Sequence, residues 1–295
     1  MRRPTAAELM LLATVSIWAF NFTVTRYALT HGFEPLAYSA ARFGAAAVVV
    51  SGVTYGLERS LSFAPRHAFL LATAALVGIY LNQVAFVYSI DLTNASTVAL
   101  IFGSLPILTA LFAYVVGVER LHRRFWIAAA LSFGGVALVA TGTGGGLSGN
   151  LAGDVLALIG AATWGIYSVA IVPLLRWYSV WRISAGALLV GCVPLVATAV
   201  PQLIDQRWEL GVLVWVGFVF AVLGPLVLTN VLWFTAIDRV GPSRATLVTN
   251  LQPFLAALFA VALLSEDLTW LQVGGGLAIG VALLLARRRP ALESA

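Results

Sequence analysis

Apolar runs long enough to cross a membrane recur along the whole chain, separated by short polar breaks. A helix needs about 20 mostly apolar residues to span the hydrocarbon of a bilayer. Ten such stretches are read, at about 8–28, 35–57, 67–90, 94–117, 124–142, 152–173, 180–200, 210–235, 243–265 and 269–287. The breaks carry turn chemistry: His31-Gly32-Phe33-Glu34-Pro35, Asn94 after Asp91, and the glycine-rich run from Gly142 to Gly149. The first stretch follows Arg2 and Arg3 in the manner of a signal peptide. It lacks a small-residue cleavage site and is followed by nine more spans, so it is read as a retained helix.

Charge orients the pattern. With the N-terminus inside, the inner segments hold fourteen arginines, among them Arg59, Arg66, Arg120, Arg176, Arg239 and Arg287 to Arg289. Only Arg26, Arg42 and Arg207 fall on the outer side. The bias of basic residues toward the cytoplasm predicts that both termini lie inside, which requires an even number of spans.

Composition agrees. Hydrophobic residues make up 61% of the chain and charged ones 10%, where a soluble domain carries roughly a quarter charged. Ten spans leave no room for a separate extramembrane domain. The single cysteine, Cys192, excludes an intrachain disulfide, and no metal-ligand spacing is present. All 17 basic residues are arginine, which with abundant Ala, Gly and Val points to a GC-rich bacterial genome. The high pI reflects topology rather than nucleic acid, which is not an expected partner. No phosphate-binding loop is present, so ATP is not expected to drive the protein, and no cofactor is expected.

An internal repeat is the most informative feature. The segment from Asp91 to Leu121 aligns without a gap on that from Asp238 to Leu268. It matches Ser96 with Ser243, Pro106 with Pro253, Ala110-Leu111-Phe112-Ala113 with Ala257-Leu258-Phe259-Ala260, and Glu119 with Glu266. Glu8 and Trp18 share the separation of Asp154 and Trp164, and Gly135-Val-Ala-Leu138 mirrors Gly280-Val-Ala-Leu283. Residues 1–145 and 146–295 thus each hold five spans. An odd number per half forces the copies into opposite orientations, the architecture of many alternating-access carriers. The expected fold is an all-α integral membrane protein with ten transmembrane helices in two inverted five-helix repeats.

Ten spans in two halves, Trp18 and Trp164 in the first helix of each half, and the helices of Pro106 and Pro253 resemble the EamA family of the drug/metabolite transporter superfamily. The resemblance covers nearly the whole chain. It implies a multi-pass protein of the bacterial inner membrane that exports amino acids or other small metabolites, with or without proton coupling.

Polar groups at bilayer depth must face protein or a water-filled cavity. Thr14, Trp18, Asn21 and Thr25 lie on one helical face, and Trp164, Tyr167 and Ser168 form a similar set in the second half. Trp18 and Trp164 are assigned to the cavity as stacking or gating surfaces, and Thr14 and Thr25 to interhelical bonding. The third stretch offers Tyr80, Asn82 and Gln83 and the eighth Thr229, Asn230 and Trp233, with Gln83 and Asn230, and Asn82 and Thr229, as repeat mates. Neutral amides can donate to a carboxylate and accept from an ammonium, as a zwitterion requires. Pro106 and Pro253 are expected to kink their helices as hinges, freeing the carbonyls of Phe102 and Thr249, with Ser104, Asn250 and Gln252 beside them.

Glu8, Asp91, Glu119, Asp154, Asp238 and Glu266 all fall near helix ends, where capping is the expected role rather than an ion relay. Arg42 lies well inside the second stretch, where it is expected to snorkel outward or pair with Asp91 or Glu34, with a substrate carboxylate as the lesser alternative. Small residues on the fifth and tenth stretches, Ala130, Gly134 and Gly274 to Gly280, allow close helix approach, read as intramolecular before a dimer face. The expected function is a secondary transporter of small metabolites, monomer or homodimer, with amino acids ranked first and large neutral or aromatic ones preferred. Sugars, nucleosides, cationic drugs and sugar phosphates rank behind, and an enzyme or a channel behind those.

Overall fold

The computed structural model describes residues 5–92, 95–142, 150–264 and 269–286. Asn94, Glu266, the glycine run from 143 to 149 and the terminal arginines lie outside them, as does the side chain of Asp91. The described chain is helical: α1 (Ala6–Thr30), α2 (Pro35–Glu58), α3 (Pro65–Ala75), α4 (Asn82–Leu92), α5 (Ala95–Phe102), α6 (Leu105–Val115) and α7 (Arg123–Gly142) in the first half. The second half holds α8 (Leu151–Ala170), α9 (Val180–Asp205), α10 (Val212–Val222), α11 (Thr229–Val240), α12 (Pro242–Thr249), α13 (Gln252–Leu264) and α14 (Trp270–Ala286). Among the described residues eight stretches are long and apolar enough to cross a membrane, and α14 is a shorter apolar helix. The protein is an all-helical integral membrane protein.

Polar residues set the helix starts. Thr5 Oγ1 accepts the amide of Glu8 at 3.3 Å while Glu8 Oε2 accepts that of Thr5 at 2.8 Å, a reciprocal cap that fixes the start of α1. Asn150 Oδ1 accepts the amides of Ala152 and Gly153 at the start of α8. Glu119 reaches across halves, its Oε2 accepting the amide of Ser243 in the first turn of α12 at 3.2 Å. Gly241 precedes that turn at φ 85°, and a Cβ there would lie 1.7 Å from the Glu119 carboxylate. Only glycine meets both demands.

The repeat extends to its irregularities. α3 runs into α4 through a wide π-helical turn at Leu76–Leu81, and α10 runs into α11 through another at Leu223–Leu228. Their starts are 147 residues apart, the spacing of Asp91 and Asp238. The fourth and ninth stretches are each broken, between Phe102 and Leu105 and between Thr249 and Gln252, again at equivalent positions. The prolines were expected inside kinked helices. Each is instead the second residue of a new segment, α6 or α13, where its missing N–H would have had no intrahelical partner.

The most extensive packings all join one half to the other: α7 with α14, α2 with α9, α4 with α8, α6 with α8, and α1 with α11. Repeat-related partners run antiparallel. The start of α2 meets the end of α9, where Gln202 Oε1 accepts the amide of Leu36 at 2.6 Å and Gln206 Oε1 that of Glu34 at 2.8 Å. The end of α2 meets the start of α9, where Glu58 pairs with Arg182 at 2.7 Å and accepts from Ser179. At the edge, Thr269 at the foot of α14 bonds the carbonyl of Gly142 at the end of α7. This antiparallel pairing of mates is the inverted repeat in structural form.

Glycine makes the tightest crossing possible. A Cβ on Gly275 would lie 2.5 Å from the Gly135 carbonyl, and one on Gly276 would strike the ring of Phe254. The backbones of α7 and α14 therefore meet through Gly135 and Gly275; Gly275 was among the small residues expected there, whereas on the fifth stretch Ala130 and Gly134 were expected instead. Gly134, Gly274 and Gly280 have nothing within 4 Å of a built Cβ and are not part of that crossing.

Candidate substrate site

Three indoles, contributed by both halves, meet in the interior. Trp18 of α1 stands edge-on to Trp164 of α8, with ring centres 5.6 Å apart, and lies 5.1 Å from Trp233 of α11. Trp164 and Trp233 are 6.2 Å apart, and Tyr167 adds a fourth ring 5.5 Å from Trp164. These separations are those of favourable aromatic pairs. Trp233 is completely buried, whereas Trp18 and Trp164 are only partly covered.

The mates Trp18 and Trp164 are held differently. Trp18 Nε1 donates to Thr229 Oγ1 at 2.9 Å and to the Pro225 carbonyl at 3.3 Å, anchoring α1 to the π-helical turn of the other half. Trp164 Nε1 makes no hydrogen bond, and Trp233 Nε1 is buried without an acceptor. Asn82, the mate of Thr229, ties the first π-helical turn to α8: its Nδ2 donates to the Gly160 carbonyl at 2.8 Å and to Thr163 Oγ1 at 3.3 Å. In each half, then, the residue just after the wide turn bonds to the first helix of the opposite half.

The remaining candidates divide into three groups. Asn21 lies one turn beyond Trp18 on the same face, and its Oδ1 is buried without a donor. Tyr80 lies in the first π-helical turn against the main apolar core, and Gln83 is partly buried beside Asn82. Asn230 turns back on its own helix, donating to the Leu226 carbonyl. The breaks collect the rest. Ser104 Oγ donates to the Ile101 carbonyl at 2.6 Å, and Asn250 Nδ2 donates to the Gly103 carbonyl at 3.1 Å and to Ser132 Oγ at 3.0 Å. Phe102 packs on Gly160, and Gln252 opens α13 partly buried.

Two grooves among the described residues lie away from these groups. A groove of about 440 Å³ runs along α14, lined by Gly276, Leu277, Gly280, Val281, Leu283 and Leu284, and one of about 300 Å³ lies on α10. Neither is lined by a candidate residue.

A family model for EamA-like transporters matches residues 5–141 and again 151–288. The chain belongs to the EamA-like transporter family. The two matches fall on the two halves that pack as antiparallel mates. The uncharacterized inner membrane transporter YedA of Escherichia coli is 25% identical over 272 residues, covering 90% of this chain and 86% of its own. The uncharacterized transporter YdeK of Bacillus subtilis is 27% identical over 278 residues, covering 93% and 94%. A probable terminal-alkyne amino-acid exporter of Streptantibioticus cattleyicolor is 26% identical over 280 residues, covering 94% and 92%. A solved crystal structure, 18% identical, superposes with a TM-score of 0.82 over 96% of this chain and 97% of its own, a likeness of fold.

Two contributions to the site were not anticipated from the sequence. Gly103 and Ser132 receive Asn250, and Gly160 with Thr163 receives Asn82. The signal for Gly103 is its spacing of 147 residues from Asn250, which makes it that residue's repeat mate. Arg42 also departs from expectation: it neither snorkels nor pairs with Glu34, but is buried over the rings of Tyr38 and Phe43.

Proposed function

We propose that this EamA-family transporter is an alternating-access exporter of small metabolites, and that its substrates are amino acids with large neutral or aromatic side chains preferred. The observation that carries this reading is the indole cluster. Both halves contribute to it, and one mate, Trp164, has a free N–H while the other is tied down. An aromatic or branched substrate replacing Trp164 against Trp18 keeps the apolar contacts that close the cluster, and the neutral amide of Asn21 one turn away gives a polar group to its head. The relative described as an amino-acid exporter supports the same class. The arginine bias supports an inner-membrane orientation with both termini cytoplasmic. We read the protein as a carrier rather than an enzyme or channel, cycling without a cofactor.

The test is counterflow in proteoliposomes loaded with unlabelled amino acids, following uptake of labelled ones with and without a pH gradient. Saturable exchange of large neutral amino acids, lost in Trp164→Ala while the protein stays monodisperse, supports the reading. Exchange of sugars, nucleosides or cationic drugs in place of amino acids overturns the substrate class. Unsaturable flux overturns the carrier.

A further inference from the structure

Arg42 is the buried cation that the transport reading leaves unused. It lies seven residues into α2, roughly 10 Å along the helix axis from its start. Only 7% of its surface is exposed. The described residues give it no carboxylate, and its Nε has no acceptor. Its contacts are two rings: the guanidinium carbon lies 5.1 Å from the centre of Tyr38 and 5.5 Å from that of Phe43. The Tyr38 hydroxyl, within electrostatic reach of the guanidinium, is also buried without a hydrogen-bond partner. The guanidinium Nε and the tyrosine hydroxyl are buried together with no partner among the described residues beyond their contact with each other, which describes a site for an acceptor that the chain does not supply.

Position connects this site to the route. Tyr38 packs on Phe33 at 5.2 Å and on Phe218 at 6.2 Å. Phe33, Trp208, Trp215 and Phe218 close the bundle above it, at the end that holds the α1–α2 loop. Phe218 also packs on the main core that includes Trp18 and Trp164. By helix rise, Trp18 lies roughly 18 Å from the end of α1 at that same side, deeper than Arg42. The guanidinium thus stands between the aromatic cover and the indoles.

We propose that Arg42 and Tyr38 form a binding station for the carboxylate of the transported solute, on the path between the indole cluster and the end of the bundle closed by Phe33 and Trp215. The inference rests on the transport reading and specifies the charged group that the solute carries. A planar guanidinium fork matches a carboxylate with two parallel N–H donors, and the tyrosine hydroxyl adds a third. One positive charge among neutral aromatic groups balances a monoanion. Phosphate, with nearly twice the charge, lacks a second cation here. The rings of Tyr38 and Phe43 hold the fork flat while the station is empty, which keeps the charge stacked when no anion is present.

The experiment uses the full-length protein in detergent and in proteoliposomes, with phenylacetate, phenylacetamide and inorganic phosphate as probes. Phenylacetate is expected to raise the thermal midpoint saturably, and the amide, which lacks only the charge, is not. Arg42→Gln is expected to abolish the difference, Arg42→Lys to restore part of it, and Tyr38→Phe to raise the half-saturating concentration roughly tenfold. The wild-type comparison of acid with amide reads the site even where Arg42→Gln fails to fold. No response to phenylacetate, equal responses to acid and amide, an unchanged response in Arg42→Gln, or a response to phosphate alone each overturns the station. Counterflow separates the two readings. Amino-acid exchange that is indifferent to Arg42→Gln removes the station and leaves the transporter. Acid-specific stabilisation without amino-acid exchange removes the amino-acid assignment and leaves the station.

Discussion

Asn250 donates its side-chain amide to the carbonyl of Gly103, the residue that occupies Asn250's own position in the first half. The two helix breaks therefore meet across the repeat, and one caps the other. A break leaves carbonyls without intrahelical donors, and lipid cannot satisfy them. Asn250 supplies one donor and uses Ser132 for its second contact. A second asparagine at 103 has no space, since even a Cβ there would lie 2.9 Å from the Leu100 carbonyl. Asn250→Ala is expected to lose about 1–3 kcal/mol of stability, read as a lower thermal midpoint in detergent. An unchanged midpoint would show that the freed Gly103 carbonyl finds another donor.

The mates Trp18 and Trp164 are expected to respond differently to substitution. Thr229→Val removes the acceptor of the Trp18 indole and is expected to cost about 1 kcal/mol while counterflow persists. Trp164→Phe leaves every hydrogen bond of the structure in place, so its effect is expected in the half-saturating substrate concentration and not in the thermal midpoint. Loss of stability comparable to that of Thr229→Val would make Trp164 a packing residue.

Within α14, neighbouring glycines divide sharply. Gly275→Ala drives a methyl against the Gly135 carbonyl and is expected to separate α7 from α14, with a large loss of folded protein. Gly274→Ala and Gly280→Ala meet open space and are expected to leave the fold intact. Cross-linking and size-exclusion profiles of these two variants test the oligomer as well. A shift in state would place a second copy on that face.

The ion pair of Glu58 with Arg182 is about one-fifth exposed on both sides. Exposed pairs contribute little after screening, so Glu58→Gln is expected to cost at most about 1 kcal/mol, less at high salt. Thermal midpoints at low and high ionic strength provide the check. A large, salt-independent loss would assign the stability to the Ser179 bond instead.

α2 and α9 are tied at both ends, by Gln202 and Gln206 on one side and Glu58 on the other. We expect a pair tied in this way to move as one body. A cysteine cross-link joining positions 36 and 202, in a background lacking Cys192, is therefore expected to leave counterflow intact. Blocked exchange would put the gate in α2 and α9. Intact counterflow would place the motion in the stretches interrupted by π-helical turns and breaks.

Much of this architecture was legible in the chain because bilayer physics narrows the choices. Long apolar runs become helices, and an odd number of spans per half inverts the copy. The gap-free match of Asp91 to Asp238 puts Asn82 and Thr229 at equivalent positions, and in the structure each bonds the first helix of the other half. The interruptions were less legible. The π-helical turn at Leu76–Leu81 has no proline to mark it; its Gly78 lies against α8, where a Cβ would overlap Tyr167. Pro106 and Pro253 marked their breaks, but not that each preceding helix stops four residues earlier. Arg42 was misplaced because lipid-facing and ring-stacked arginines look alike along one helix, and the stacking ring of Phe43 is its sequence neighbour.

The packing of α1 on α11, α2 on α9, α4 on α8 and α7 on α14 also bears on how the protein is made. Each helix inserted from the first half enters the membrane without its principal neighbour, which has yet to be synthesised. The early helices must wait in lipid with Asn82 and Gly103 unsatisfied until the later ones arrive. Each half thus lacks the principal neighbours of its helices until the other is present, and a chain truncated before α14 leaves the Gly135 face of α7 unmatched. Two separately translated halves, by contrast, carry complementary surfaces through which they can find each other within the bilayer.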